Sequence, residues 1–434
     1  MAIWNKIDQD YLNQERSLFE VYMRADRHGV IYDELGQGFS GDLFGRLKTS
    51  QPYTLFDSSH RYSQDGDFSD VILGAGSTVG IITAQSTATL SIGTTAGCSY
   101  IRESKRVFSY QPGKSLQVLQ TFVFNSAKEN LVQRAGYASS ENGIMLELDG
   151  SQLNIIKRTA ISGVGTTVTV PQAEWNLDTL DGTGFSTSNP SGIELDISKA
   201  QILFTEYEWL GVGSVRVGFA IDGKFIPVHQ FNHANHIEST YMTAATLPIR
   251  YEILNTGITT SSSTMKQICV SVISNGGYER LTRRDVARRT TTVSVGSTSF
   301  VPLVSIRLTP GREDAIILPK SFSFLGSSAN TSILEVAWIR NGTVNATNWQ
   351  TLTGTPNAQL NTDATTITGG TIILNDFVSS ANKSDTPLNV ESTYNWDLQL
   401  GRTQAKVSDT ITLAARAITG SANCIGSITL YDLT

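Results

Sequence analysis

The sequence predicts an all-β protein with two antiparallel β-sandwich domains of the jelly-roll or lectin-like type, preceded by an extended N-terminal arm. Alternation of apolar and polar residues dominates the chain, and a helical period is rarely maintained. Two Asp-Gly pairs, Asp149-Gly150 and Asp222-Gly223, separate alternating runs and predict β-hairpins. In the run "LQVLQTFVF", the residues on one predicted face are Leu116, Val118, Gln120, Phe122 and Phe124.

The predicted elements follow one another in four segments. Residues 1–70 are rich in Gly, Ser and Asp with apolar residues spaced singly, which predicts an arm that packs on its own body or on a neighbour. The two hairpins place the first, lectin-like sandwich at 71–257. The Ser/Thr-rich "NTGITTSSSTMK" and the arginines after it predict a linker and connector over 258–290. Further strand-like runs from "SFVPLVSIRLTP" to "NCIGSITLYDL" predict the second sandwich at 291–434.

Composition excludes several classes of protein. The 434 residues are 17% charged with a net charge of -6, which argues against a general nucleic-acid binder. Cys98, Cys269 and Cys424 lie far apart, so they predict neither a disulfide framework nor a metal knuckle, and synthesis in the cytoplasm is expected. A polar N-terminus is not typical of a signal peptide, and no run of 18 apolar residues predicts insertion into a membrane.

The segment "YQPGKS" resembles the end of a phosphate-binding loop. Such a loop needs a glycine five positions before Gly113, where this chain has Phe108, and Pro112 removes a backbone donor. The segment therefore predicts a strand at 107–110 followed by a Pro-Gly turn.

His229, His233 and His236 in "HQFNHANH" have the most metal-like spacing in the chain. On a strand, His229 and His233 would share a face and His236 would not. Zinc normally requires a fourth ligand or a second shell that orients each imidazole. The pattern favours a strand end that runs into a polar turn, and no metal or cofactor is predicted, although metal binding by these three residues stays open.

Carboxylates spaced by two residues raise the possibility of a glycosidase. Glu194 and Asp196 in "IELDISK" are predicted to lie on one strand face, as in lectin-like glucanases, and Glu206 and Glu208 form a second pair. A glycosidase needs two carboxyl groups opposed across a cleft, about 5–10 Å apart. One strand cannot supply that geometry, so no catalytic residue is predicted.

Arginines at 280, 283, 284, 288 and 289 could hold phosphate or a nucleic-acid backbone. Glu279 and Asp285 lie within the cluster and no aromatic residue is interleaved, so a solvated face or an interface with an acidic neighbour is favoured. The scattered tryptophans favour packing in the core or an interface over sugar stacking.

Long idiosyncratic segments carry a resemblance to a known family. "IRESKRVFSYQPGKSLQ", "ENGIMLELDGSQLNIIKRT", "VPQAEWNLDTLDGTG" and "YMTAATLPIRYEI" resemble virion structural proteins of marine contractile-tailed phages, notably cyanophages. "IWNKIDQD", "PLVSIRLTPG" and "LGRTQAKVSDTITLA" are similar to the same group, so the resemblance covers nearly the whole chain. It implies a non-enzymatic component of the particle and supplies no catalytic residues.

The resulting expectation is a virion protein, made in the host cytoplasm and associated with the tail, baseplate or fibres. It would assemble through its arm with other virion proteins, form a homo-oligomer with a trimer favoured, and contact host surface glycans. Neither nucleic acid nor a membrane is an expected partner. A capsid decoration or head fibre protein remains an alternative, as does a glycan depolymerase that uses the four carboxylates above.

Overall fold

The computed structural model describes residues 51–279, 283–296, 299–380 and 396–434, together with four separate two-residue strands outside these ranges. Within this part of the chain the expected all-β fold is confirmed: every ladder is antiparallel, and the helical segments are three short 3-10 turns. No helix among the described residues is long and apolar enough to cross a membrane. These four two-residue strands are β1 (Arg24–Ala25), β2 (Ile31–Tyr32), β3 (Gly38–Phe39) and, near the C-terminus, Leu388–Asn389.

The N-terminal strands β1, β2 and β3 pair with one another in a three-stranded sheet. The remainder of the predicted arm up to residue 50 lies outside the described residues.

Fifteen further strands build the first sandwich. They are β4 (Tyr53–Ser59), β5 (Phe68–Leu73), β6 (Thr78–Ile82), β7 (Thr87–Ile92), β8 (Ser99–Ser104), β9 (Leu116–Val123), β10 (Leu131–Ala138), β11 (Gly143–Asp149), β12 (Gln152–Thr159), β13 (Thr166–Pro171), β14 (Gln201–Tyr207), β15 (Val215–Ile221), β16 (Lys224–Phe231), β17 (Ile249–Asn255) and β18 (Ser263–Ser274). One sheet has the order β13-β12-β11-β10-β17-β8-β5. The other has the order β16-β15-β14-β9-β18-β7-β6, with β4 also paired to β18.

Both sheets contribute to one apolar core, because each strand places alternate residues on its inner face. Leu146 and Tyr251 enter this core from the seven-stranded sheet, and Val118 and Phe219 enter it from the eight-stranded sheet. The predicted inward row of β9 is confirmed, and Gln120 is its only polar member among Leu116, Val118, Gln120, Phe122 and Phe124, all of which are buried.

Both predicted hairpins are present. Gly150 and Ser151 connect β11 to β12, one residue later than the Asp-Gly pair suggested, since Asp149 still pairs with Gln152. The β15–β16 turn consists of Asp222 and Gly223, whose φ angles are 51° and 76°. Positive φ at both positions is what a two-residue turn between twisted antiparallel strands requires.

The second sandwich uses the remaining strands. They are β19 (Arg283–Val295), β20 (Val301–Leu308), β21 (Ile317–Ser327), β22 (Ile333–Arg340), β23 (Thr343–Val344), β24 (Gln350–Thr351), β25 (Ala358–Asn361), β26 (Ile367–Thr368), β27 (Thr371–Ser379), β28 (Leu388–Asn389), β29 (Thr410–Thr419) and β30 (Ala422–Asp432). A four-stranded sheet, β19-β30-β21-β28, faces a six-stranded sheet, β24-β25-β20-β29-β22-β27, and β23 pairs with β26. Leu303, Trp338 and Ile428 lie in the core between the two sheets.

Three segment boundaries differ from the sequence-based expectation. Residues 53–70, expected in the arm, contribute β4 and β5, because single residues such as Phe56 and Phe68 anchor an otherwise polar strand in the core. The linker expected at 258–290 instead contains β18, which lies inside the first sandwich, and the start of β19. Sheet pairing uses the backbone, so Ser- and Thr-rich composition did not prevent strand formation.

The strand expected at 107–110 is absent. These residues follow the end of β8 as irregular chain, yet Val107, Phe108 and Ser109 are buried. The Phe108 amide donates to the Leu247 carbonyl, and the Gln399 side chain donates to the Val107 carbonyl, so neighbouring segments satisfy the backbone in place of a ladder. The Pro112-Gly113 turn is present as expected.

The two sandwiches share part of their apolar interior. Ile316, Leu318, Trp396 and Tyr431, all from the second sandwich region, belong to the buried cluster of the first sandwich. On β21, Ile317 points into the second core while Leu318 points into the first. Residues 52–434 accordingly form one compact unit.

Candidate functional site

A row of arginines and glutamates covers the outer face of the seven-stranded sheet. Core residues such as Leu146 and Tyr251 occupy the inner face, so their neighbours in sequence point outward. We name this row the charge ladder; its members are Glu103, Arg134, Glu147, Arg158, Arg250 and Glu252. The strand register places opposite charges side by side: Arg134 lies opposite both Glu147 and Glu252, and Arg250 lies opposite Glu103.

Glu252 is the centre of the charge ladder. Its carboxylate accepts hydrogen bonds from Arg134 and Arg158, each with an N···O distance of 2.8 Å, and from Arg250. Burial by itself would raise the pKa of Glu252. The hydrogen bonds and charge of Arg158, with the charges of Arg250 and Arg134, nevertheless hold its pKa well below the usual range. Glu252 is therefore an anion at neutral pH.

The ladder continues across the junction between the sandwiches through Glu103. The Glu103 carboxylate is ion-paired with Arg250 of the first sandwich and with Arg402 of the second. Arg402 also donates to Asp314 at 2.9 Å, and its backbone amide donates to the Lys105 carbonyl at 2.8 Å. Burial would lower the pKa of Arg402, but the charges of Glu103 and Asp314 raise it. Glu103, Arg250 and Arg402 are each less than 5% exposed.

A cleft of about 140 Å³ opens where the ladder meets the second sandwich. Glu103, Arg250 and Asn142 line it from the first sandwich, and Asp314 and Arg402 line it from the second. The remaining lining residues include Ser139, Ser140, Glu141, Thr243, Gln404 and Lys406. Cations and anions are balanced, so the cleft has no net charge that would draw an ion into it.

The chemistry available in this cleft is limited by pairing. A general acid needs a carboxyl group that stays protonated near neutral pH, usually through burial without a cation nearby. Glu103 and Asp314, which line the cleft, each contact a guanidinium instead, and the third lining carboxylate, Glu141, is exposed. Glu147 and Glu252 elsewhere in the charge ladder are paired in the same way. The arrangement joins strands and sandwiches rather than preparing a proton transfer.

The three histidines differ in their exposure to solvent. His229 and His233 are buried, whereas His236 is exposed. The His233 Nδ1 donates to the Gly213 carbonyl at 2.7 Å, and its Nε2 accepts from Lys157 at 3.1 Å. Burial, with the nearby charge of Lys157, lowers the pKa of His229 to about 4. Among the described residues, no three His, Cys, Asp or Glu side chains are grouped as metal ligands would be.

The carboxylates expected on one strand face do not lie there. Glu194 and Asp196 belong to an irregular, exposed segment in which Glu194 makes only an isolated bridge to Asp181. Asp196 accepts from the Ser198 hydroxyl and amide, which lowers its pKa. Such local side-chain hydrogen bonds compete with strand formation, which explains why the prediction is wrong.

The second predicted carboxylate pair is also split. Glu206 is the penultimate residue of β14 and is paired with Arg216 at 2.6 Å. Glu208 follows the end of the strand and is exposed. Neither residue faces a second carboxylate across a cleft within the described part of the chain.

The favoured packing role is confirmed for three of the tryptophans, and one acidic segment forms a turn. The "DGDFSD" segment forms a turn in which Asp65 accepts from the Asp67 amide, while Asp67 and Asp70 are ion-paired with Arg106 and Arg102. Three of the tryptophans, Trp175, Trp338 and Trp396, are buried packing residues.

Sequence reasoning missed the charge ladder. Its signal is nevertheless visible in "IRYEILN", where Arg250 and Glu252 alternate with Ile249, Tyr251 and Ile253. Charges at every second position of an apolar run normally indicate a solvated face. Here Arg250 and Glu252 are buried, which depends on the second sandwich and on neighbouring strands that the run itself does not reveal.

No protein-family model and no curated protein matches the sequence. Among solved structures, the chain is similar to a β-glucanase of Bacillus licheniformis, with 11% identity, a TM-score of 0.31, and coverage of 52% of this chain and 99% of the other. A GH16 protein of Bacteroides ovatus has 9% identity, a TM-score of 0.34 and coverage of 50% and 99%. The carbohydrate recognition domain of Emp47p has 10% identity, a TM-score of 0.29 and coverage of 54% and 99%. Values this low assign no role to any residue.

Proposed function

We propose that this protein is a non-enzymatic structural component of a contractile-tailed phage particle, associated with its tail, baseplate or fibres and in contact with host surface glycans. The sequence resemblance to virion proteins supports this proposal. One structural observation carries its non-enzymatic part: three of the four buried carboxylates of the first sandwich, Glu103, Glu147 and Glu252, are paired with arginines. The fourth, Asp178, accepts hydrogen bonds from the Leu180 and Ser191 amides. A carboxylate that is paired with a guanidinium joins strands and is not prepared as a general acid.

The location is tested by immunogold electron microscopy on intact particles with antibody raised to residues 299–380. Gold at the tail or baseplate is the expected result. Gold over the head would instead make the protein a capsid decoration, and particles without gold would contradict the virion role.

The absence of catalysis is tested with a panel of surface polysaccharides, by measuring the release of reducing ends. We expect no turnover by the wild-type protein. Turnover that is lost in Glu194→Gln or Glu206→Gln would overturn the non-enzymatic proposal. Glu194 is exposed and Glu206 is half-buried, so neither change should unfold the protein.

We also propose that the particle component is a homotrimer, because a fibre-like role requires a self-associating shaft or docking point and the chain has a low charge density. Sedimentation equilibrium of the full chain at micromolar concentration is expected to give three times the chain mass of 47.1 kDa. A single-chain mass across that range would contradict the trimer.

A further inference from the structure

A second, larger groove lies at the open side of the second sandwich, away from the charge ladder. Strand β19 is the edge of the four-stranded sheet, and β24 is the edge of the six-stranded sheet. Among the described residues no strand pairs with the free side of either edge, and residues of β19, β24 and β25 line a groove of about 520 Å³. This volume is in the range of small-ligand sites in proteins.

Two arginines give the groove its positive charge. Arg288 is exposed, lines the groove and makes no hydrogen bond or ion pair within the described residues. Arg289 is held in place, since its guanidinium donates to the Thr291 carbonyl at 3.0 Å and to the Thr362 carbonyl. Asp363 lies near enough to influence Arg289, but its carboxylate already accepts from Thr347 and Asn348.

The fixed guanidinium distinguishes this groove from an ordinary protected sheet edge. Charged side chains on an edge strand discourage pairing with other chains, and they do so without being ordered. Two carbonyl groups hold the Arg289 side chain in place and leave its other N–H groups free to donate. Among the described residues no carboxylate forms an ion pair with it. The entropic cost of holding the side chain has thus been met before any ligand arrives.

The other groove residues are those that recognise hydroxyl groups. Besides the arginines, the polar lining consists of Asp285, Thr290, Thr291, Gln350, Thr353 and Thr362. Asp285 accepts from the Gly354 amide at 3.0 Å and from the Val286 amide at 2.7 Å, which fixes its carboxylate and leaves acceptor positions free. The Asp285 carboxylate can accept hydrogen bonds from sugar hydroxyls, which are donors that an ionised polyphosphate does not offer.

From this arrangement we propose that the groove between β19 and β24–β25 binds an acidic saccharide, with Arg289 on its carboxylate or sulfate group, Arg288 adding positive charge from the next lining position, and Asp285 on its hydroxyls. Guanidinium groups match the geometry of both anions through paired hydrogen bonds. The inference rests on the proposed contact with host glycans and places that contact in the second sandwich. It assigns Arg288 and Arg289 to ligand binding, where the sequence favoured a solvated face or a protein interface.

The test is isothermal titration of the full chain with trigalacturonate, a sulfated galactose oligosaccharide, a neutral galactose trisaccharide and tripolyphosphate. Arg288→Gln is the test variant, because Arg288 has no partner in the described residues whose loss could unfold the protein. Arg283→Gln is the matched control, since it removes the same charge from the same strand outside the groove lining. We expect binding of one or both acidic saccharides, weakened roughly tenfold in Arg288→Gln and unchanged in Arg283→Gln.

Other outcomes overturn the proposal. These are equal binding of the neutral trisaccharide, tighter binding of tripolyphosphate than of either acidic saccharide, equal weakening by Arg283→Gln, or no binding at millimolar concentration. The two acidic saccharides separate a carboxylate ligand from a sulfate ligand. The particle location is tested separately by immunogold labelling, so gold at the tail without saccharide binding would remove this inference alone, and binding without gold would remove the virion role alone.

Discussion

At the scale of single residues, the feature that organises the first sandwich is one carboxylate shared by three guanidiniums. Glu252 joins Arg134, Arg158 and Arg250, which come from three different strands. Without it Arg158 would lose its carboxylate partner, and only Glu147 and Glu103 would remain to balance the three arginines. Burial makes such a network more costly to break than to replace as a whole.

We therefore predict that Glu252→Gln lowers the free energy of unfolding by about 3–5 kcal/mol, because it leaves Arg158 without a carboxylate and the charge ladder with one positive charge in excess. Urea denaturation followed by fluorescence measures the change. The matched control is Glu206→Gln, which breaks the half-buried pair with Arg216 and should cost about 1 kcal/mol or less. Equal losses of unfolding free energy in the two variants would show that the charge ladder stabilises the protein no more than a half-buried ion pair does.

A second residue-scale prediction concerns acid. The folded-state pKa of His229, about 4, lies below its unfolded value of 6.5. The unfolded state therefore binds the proton first, and stability that is present above pH 6.5 is lost as the pH falls toward 4. His229 faces Lys157, and the neighbouring His233 also has a pKa lowered by burial, so each added proton meets existing positive charge.

The measurement is the thermal midpoint of unfolding between pH 7.5 and pH 4.5. We expect a fall with decreasing pH that becomes shallower in His229→Gln. Glu252 contributes in a lower window, because its pKa is depressed and its protonation matters only below its unfolded value of 4.5. An unchanged slope in His229→Gln would contradict the assignment.

At the scale of elements, turn residues determine where the hairpins form, whereas pairing between distant segments determines where the other strands form. The β15–β16 turn could be read from Asp222-Gly223, since Gly tolerates positive φ without steric cost. Strand β18 could not be recognised in the same way. Its Ser- and Thr-rich start resembles a loop, and it becomes a strand because β7, β9 and β4 supply backbone partners far away in sequence.

Gly223→Ala should destabilise the protein by about 1–2 kcal/mol, the usual cost of a left-handed conformation for a residue with a Cβ atom. An added Cβ at Gly223 would have no neighbour within 4 Å, so the effect is purely one of backbone conformation. Chemical denaturation compares it with Gly165→Ala, a site that is equally open but lacks positive φ. A loss at Gly165 as large as that at Gly223 would refute this explanation.

At the scale of the whole molecule, the junction between the sandwiches is both apolar and charged. Leu318 and Trp396 extend the core of the first sandwich, and the pair of Glu103 with Arg402 closes the charge ladder beside it. Two cores that share buried side chains are expected to unfold together rather than in sequence.

Differential scanning calorimetry should therefore show one transition for the wild-type protein and two for Leu318→Ala, which removes apolar contact at the junction at a cost of about 2–5 kcal/mol. The control is Leu303→Ala, which is equally buried but lies only in the second core. It should lower the midpoint while the single transition remains. Two separate transitions in the wild-type protein would contradict a shared core.

The sequence by itself determined the all-β class, the two hairpins and the inward row of β9, because these depend on alternation and turn chemistry within about ten residues. The tertiary structure alone decided which polar segments became strands, since pairing partners such as Ser59 and Cys269 are more than two hundred positions apart. It also decided that Arg250, Glu252 and Arg402 are buried together. A charged side chain in an alternating strand has the same local pattern whether water or an opposite charge faces it, and only the assembled sheets determine which of the two is present.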